Sequence, residues 1–188
     1  MISRRQGTEA AVELAGRLPI IGSVGNTTFD LFAVAEDRPE NFYLWNSMGM
    51  ASSVGLGLAL ARPELRVVIL DGDGALLMNL GSLCTAMMAG VRNIVHVVWD
   101  NGGWEITGAQ PAGTTYGVDL AAIARGAGFR HTATVDDMRA FRSAFADAMG
   151  ADEPWFIVAH IDNSGAPKTR PTKTLTAIRD RFASAIGS

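Results

Sequence analysis

Apolar positions along this chain fall into two alternating rhythms. Residues 7–17 repeat at helical spacing, with Ala11, Leu14, Ala15 and Leu18 on one side. Ile20 to Val24 is a short apolar run closed by glycines and polar residues, which predicts a strand. "TTFDLFAVA" predicts a short helix that Thr27 or Thr28 could cap. "NFYLW" (41–45) reads as a second strand, and "MASSVGLGLALA" (50–61) as a helix of small residues stopped by Pro63. Gly55 and Gly57 each cost that helix about 1 kcal/mol relative to Ala, so it needs close packing to persist.

The pattern continues to the end. Strands are expected at 66–71, 93–100, 129–135 and 154–162, and helices at 78–90, 118–128, 136–150 and 172–187. Between them, residues 101–117 form a Gly-rich loop long enough to suggest a function. The central strands are apolar throughout, as strands covered by helices on both faces must be. The expectation is one α/β domain over residues 1–188, a three-layer sandwich with a mostly parallel central sheet. Ligands of such sheets collect at the carboxyl ends of the strands.

Composition narrows the function classes. The formal net charge is −3 and Lys and Arg are not clustered, which argues against nucleic acid or an anionic membrane as partner. One cysteine, Cys84, allows neither a disulfide framework nor a Cys-based metal site within the chain. The first residues carry two Arg but no long apolar run, and no segment has the length of a membrane span. A soluble cytoplasmic protein is expected.

Two strand ends carry the chemistry. The 66–71 strand runs into Gly72-Asp73-Gly74, and the 93–100 strand runs into Asn101-Gly102-Gly103. The helix between them makes a βαβ unit, whose right-handed crossover lays the strands side by side, about 4.8 Å apart. Asp73 and Asn101 can then point oxygens into one volume. A carboxylate, an amide oxygen and a loop carbonyl are hard ligands suited to Mg²⁺ or Ca²⁺, and Mg²⁺ usually binds together with phosphates. Gly72 and Gly74 let the backbone approach an anion, with amides near Gly74 and Ala75 placed to receive its oxygens. Asp-Gly and Asn-Gly alone are also ordinary turns. The succession strand, GDG, helix, strand, NGG is more specific.

These residues resemble a family. Gly72-Asp73-Gly74, followed by Asn101, is similar to the signature of thiamine-diphosphate-dependent decarboxylases, and "WNSMGMASSVGLGLALA" resembles the segment that precedes it there. The stretch from "FYLWNSMGMASS" through "ITGAQ" looks closest to sulfopyruvate decarboxylase β subunits and the C-terminal part of phosphonopyruvate decarboxylases. The resemblance implies thiamine diphosphate and Mg²⁺ as cofactors. Asp73 and Asn101 would hold the metal by side chains and Gly103 by its carbonyl. The Gly74 and Ala75 amides would take the diphosphate, and Asn46 would offer its carbonyl to the aminopyrimidine. Met48 would be an apolar wedge bending the cofactor, with Ser47, Gly49, Gly72 and Trp104 completing the contact set. The bend places the cofactor's amino group beside the thiazolium carbon, making proton removal intramolecular in effect.

The resemblance also implies a missing part. Such enzymes take an activating Glu from a separate pyrimidine-binding domain, which has no match here. An α subunit carrying it is therefore expected as partner, in a homo- or hetero-oligomer acting on a small 2-oxo acid. The length suits a free-standing β subunit. Where pyruvate decarboxylases carry a catalytic Glu after the metal-binding Asn, this chain has Thr107, in a Thr107-Gly108-Ala109-Gln110 stretch like the TGGQ pattern of sulfopyruvate-type enzymes and oxo-acid oxidoreductases. Thr107 and Gln110 join Met48 as candidate catalytic residues. The β subunit of a 2-oxo acid:acceptor oxidoreductase and a catalytically inactive diphosphate-binding module remain alternatives.

Other residues read as structural. Glu105 is expected to be a solvated loop carboxylate, His96 a satisfied core or interface residue, and His131 and His160 isolated. Met50, Met78, Met87 and Met88 are expected in core or interface. "PKTRPTK" (167–173) reads as a solvated connector.

Overall fold

The computed structural model describes residues 1–36, 38–162 and 169–187. The chain begins with α1 (Arg4–Ala15), β1 (Ile20–Gly22), α2 (Asn26–Ala35), β2 (Asn41–Tyr43) and α3 (Ala51–Ala61). Then come β3 (Val67–Gly72), α4 (Asp73–Leu77), α5 (Gly81–Met88) and β4 (Ile94–Asp100). A small hairpin of β5 (Gly103–Trp104) and β6 (Gln110–Pro111) precedes α6 (Leu120–Ala127), β7 (His131–Val135), α7 (Met138–Gly150), β8 (Trp155–His160) and α8 (Leu175–Ile186).

Six strands form one parallel sheet in the order β2-β1-β3-β4-β8-β7. Successive side chains of a strand take opposite faces, and both faces are apolar. Val68 and Leu70 of β3 join Ala10 and Ala11 of α1, Leu31 and Phe32 of α2, and Phe141 and Phe145 of α7. Val67 and Ile69 join Ala51, Leu56 and Ala59 of α3 and Ala86 of α5. A third cluster packs α4, α5 and α6 over Val98 and Val158. This is the expected three-layer architecture. No helix among the described residues is long and apolar enough to cross a membrane.

Local details differ from the sequence expectation. The helix expected at 78–90 is α5, over Gly81–Met88 only, and an unexpected five-residue turn of helix precedes it, opening directly on Asp73. Neither Thr27 nor Thr28 caps α2. Gly25 stands at its N-cap with φ 91°, and the Thr28 hydroxyl donates to the Gly22 carbonyl instead. The packing demand on α3 is met at one glycine only. A Cβ on Gly55 would lie 2.4 Å from Ile69, whereas one on Gly57 would meet nothing. Met50, Met78 and Met88 are exposed, so they do not belong to the core of this chain, and Cys84 is exposed as well. Met87 does pack, against the α5 side of the core. Of the 167–173 connector, Pro167 and Lys168 lie outside the described residues; Arg170 stacks its guanidinium over the Phe29 ring, 4.9 Å from the centroid.

Candidate functional site

Strand order reverses between β1 and β3: from β1 the chain steps to β2 on one side, then crosses to β3 on the other. The loops leaving the two strands part there and open a cleft at their carboxyl ends. It is lined by Asn26 and Thr27 beyond β1, Gly72 to Ala75 beyond β3, and Trp99, Asn101 and Gly103 at the end of β4. Met48 lines it from the loop before α3. Thus Asp73, Asn101 and Gly103, expected to act together, border one cleft.

The two carboxylates at the β3 tip have different surroundings because the strand ends between them: Asp71 is still in β3, whereas Asp73 opens α4. Asp71 is fully buried, accepts the Gly72 N–H at 2.9 Å and faces His96 of β4, whose Nε2 lies 3.4 Å from Oδ2. Asp73, two residues on, is 2% exposed and turns to the cleft. The Thr114 hydroxyl lies 3.0 Å from Asp73 Oδ2 and 2.8 Å from Asp100 Oδ1. A hydroxyl has one proton to donate, so it serves one carboxylate and leaves the other facing an oxygen. Burial first, then the charge of Asp100, push the Asp73 carboxyl up to about 7. A buried carboxylate beside a second one, with no basic side chain among the causes of its shift, is electrostatically incomplete and suited to a cation.

The neutral donors are consistent with that. Asn101 Oδ1 accepts the Gly103 N–H at 3.1 Å, which leaves a second lone pair on the amide oxygen. Among the described residues no group of three His, Cys, Asp or Glu could hold a metal, so a cation here relies on Asp73 with neutral oxygens. This donor set suits Mg²⁺ that is also bound by phosphates. Gly74 and Ala75 lie in the first turn of α4 rather than ahead of a helix. The Trp104 indole lies against Gly74, where a Cβ would stand 2.4 Å from its Nε1.

The loop bearing Met48 is strained and pinned. Asn46 has φ 51°, one of two non-glycine residues at positive φ among those described, and Gly49 has φ 85°. Such strain persists where the surroundings over-determine it. The Asn79 amide supplies that hold, donating to the Gly49 carbonyl at 2.9 Å and the Ser53 hydroxyl at 3.1 Å. Asn46 is exposed, and Ser47 and Met48 are half-buried; the Ser47 hydroxyl donates to the Trp45 carbonyl at 3.1 Å. Thr107 and Gln110 do not line the cleft. They are exposed on the β5–β6 hairpin and bond to each other, with the Gln110 amide donating to the Thr107 carbonyl at 3.1 Å.

Several cleft residues gave no signal in the sequence. Arg4 lines the cleft and is buried, ion-paired with Asp30 and with Glu105 at 3.0 Å. Glu105 is therefore not a solvated loop carboxylate; it is drawn onto Arg4 and half-buried. Asn26 and Thr27 at the start of α2 also line the cleft, with Asn26 Oδ1 buried and without a hydrogen-bond partner, and Thr114 and Asn79 make contacts no local motif announces.

Comparison with known proteins bears on the family and the fold. A family model described as "Thiamine pyrophosphate enzyme, C-terminal TPP binding domain" matches residues 23–159. The chain is 39% identical over 163 residues to a sulfopyruvate decarboxylase subunit beta of Methanothermobacter thermautotrophicus, covering 86% of this chain and 82% of that one. It is 35% identical over 186 residues to a phosphonopyruvate decarboxylase of Streptomyces hygroscopicus, covering 94% of this chain but 46% of the relative, so it spans under half of that protein. A solved structure from Mycobacterium smegmatis, described as a thiamin diphosphate-dependent enzyme, superposes with a TM-score of 0.75 at 22% identity over 87% of this chain and 32% of that one. At that identity the likeness concerns the fold.

Proposed function

This chain belongs to the thiamine pyrophosphate enzymes, matching their C-terminal TPP-binding domain, and on that premise we propose that it is the thiamine-diphosphate- and Mg²⁺-binding subunit of a cytoplasmic 2-oxo acid decarboxylase. The substrate is a small 2-oxo acid with a sulfonate or phosphonate tail, in keeping with the names of its relatives. A partner α subunit supplies the pyrimidine-binding domain and its activating Glu, and the site is completed between subunits.

One observation carries the reading: the electrostatically incomplete carboxylate of Asp73 shares a cleft with Asn101 and Gly103 at the switch point of the sheet. In this proposal Asp73, Asn101 and the Gly103 carbonyl hold Mg²⁺. Gly72 keeps the cleft wall free of a side chain, and the Gly74 and Ala75 amides receive diphosphate oxygens. Met48 presents an apolar surface to the cofactor. When bound, thiamine diphosphate supplies the sink for the electron pair left as CO₂ departs. Trp99 and Met48 help keep water from the apolar side of the cleft. Thr107 and Gln110 would meet substrate only in the assembled enzyme.

The test is CO₂ release from sulfopyruvate and from phosphonopyruvate, by the chain combined with its partner subunit, with and without an electron acceptor. The proposal expects release that needs thiamine diphosphate, Mg²⁺ and both subunits, and no acceptor. Release only with an acceptor makes the chain an oxidoreductase subunit, and no turnover under any combination refutes the enzyme reading.

A further inference from the structure

We propose that Glu105 is a positioning residue of the cation site: it orients the Asn101 side-chain amide so that its oxygen, not its NH₂, faces the cleft, and Arg4 holds Glu105 in place. The inference rests on the cation-binding role given to Asn101 above. An Asn amide has two ends of nearly equal size, one donor and one acceptor, and a cation tolerates only the acceptor. Something must choose between them.

Two contacts make the choice. Asn101 Oδ1 takes the Gly103 N–H at 3.1 Å, and Nδ2 is turned to Glu105 Oε2 at 3.4 Å. A reversed amide would set NH₂ against an N–H and an oxygen against a carboxylate, losing both contacts at once. Glu105 sits in a single 3₁₀ turn and, left alone, would be solvated. The same Oε2 is held at 3.0 Å by Arg4 Nη1. Arg4 is in turn fixed: its side chain is 6% exposed, and its Nε is paired with the buried Asp30 of α2. The guanidinium fork serves two carboxylates in different directions, which a Lys ammonium does less well. Backbone pairing brings Arg4 to this edge, since Ile2 donates to the His160 carbonyl at 3.0 Å and bridges to Ile161. The series Asp30, Arg4, Glu105, Asn101 thus ties three elements to the orientation of one amide.

A plain loop staple predicts something different, and Mn²⁺ binding tells the two apart. Free Mn²⁺ is followed by electron paramagnetic resonance in the presence of thiamine diphosphate, on the full chain with its partner, and folding is checked by circular dichroism. Partners of metal ligands change affinity about 10–100-fold, so Glu105→Ala should weaken Mn²⁺ binding about tenfold or more. Glu105→Gln keeps an oxygen that accepts from both Arg4 and Asn101 and should stay within about threefold of wild type by the same scale. If the ion pair only staples the loop, Gln and Ala lose affinity together, and the proposal falls. A second background guards against a folding defect. Asn101→Asp has oxygen at both ends and needs no orientation, so adding Glu105→Ala there should not weaken Mn²⁺ binding. An equal loss in both backgrounds overturns the proposal. A wild-type complex that takes up no Mn²⁺ with thiamine diphosphate refutes the cation reading and this inference with it; intact wild-type binding with an indifferent Glu105 refutes this inference alone.

Discussion

The two sides of the cleft meet the same ligand space with different construction. On the β3 side, Asp71, Asp73, Ala75 and Leu76 are all buried, and the chain passes from a fully paired central strand straight into a helical turn. On the β4 side, residues 101–105 are half-buried and 106–111 exposed. That half is held by contacts with residues far away in the chain: Glu105 on Arg4, the Trp104 indole on Gly74, and Thr115 donating to the Gly102 carbonyl at 2.6 Å. Backbone regularity and burial fix the charged donor of the proposed cation site, while a few side chains fix the neutral ones. Segments with few buried contacts open locally at low cost. On these grounds the β4 side is expected to be the more readily opened wall of the cleft and the β3 side the more rigid one.

The largest effect comes from removing the fixed charge. Asp73→Ala should lower Mg²⁺-dependent thiamine diphosphate affinity by more than about 100-fold, beyond what loss of a metal ligand's partner does, as read by calorimetry. A variant that binds as well as wild type would break the comparison at its root. The same carboxylate gives a pH signature in metal-free protein. Its folded pKa, about 7, lies above the unfolded value, so ionisation opposes folding. The penalty is absent below about pH 4, grows as pH rises, and is complete above about 7. Asp73→Asn should match wild-type stability near pH 4 and exceed it at pH 8 by about 2 kcal/mol, a discounted value for a shift of this size. Thermal melts in a chelator check this.

Arg4→Met tests the other side. It leaves Asp30 and Glu105 without their shared cation, and breaking a buried pair costs about 3 kcal/mol or more. Denaturant titration should show that loss, and the β4 loop should become the more readily exchanging part by hydrogen exchange. Equal protection of residues 101–111 in variant and wild type would show that the loop does not depend on long-range pairing.

The same division explains what could be read before the structure. Asp73 and Asn101 were legible because each sits at the end of an apolar run, and a βαβ crossover brings consecutive parallel strands together. The rule that a helix interior rarely keeps glycine without cause pointed equally to Gly55 and Gly57, and it held at Gly55 but not at Gly57. The α4 turn was not legible, since five residues carry no helical period. Arg4, Asp30 and Glu105 were not legible either. Nothing in one sequence links Arg4 to a carboxylate 101 residues away, and Glu105 in isolation has the look of any solvated loop acid. Thr107 and Gln110 came from family resemblance alone, and in this chain they face solvent on the hairpin.

The smallest effects lie within the GDG motif, where two glycines answer to different sides of the cleft. At Gly74 an added Cβ would stand 2.4 Å from Trp104 Nε1, so Gly74→Ala must displace the indole. Overpacking of this kind costs about 1–3 kcal/mol, and Trp104 should become more exposed, seen as a red shift in fluorescence with the other tryptophans replaced by Phe. Gly72 has φ −107° and ψ 153°, ordinary for any residue, and an added Cβ there meets nothing within 4 Å. Gly72→Ala should therefore change stability by less than about 0.5 kcal/mol, as for a substitution that touches nothing. Folding gives no reason for glycine at position 72, and the proposed diphosphate site supplies one, a ligand that needs the space. Diphosphate affinity should fall in Gly72→Ala while the melting temperature holds. If both are unchanged, the open wall beyond β3 is not reserved for the cofactor, and the fixed side of the cleft contributes Asp73 alone.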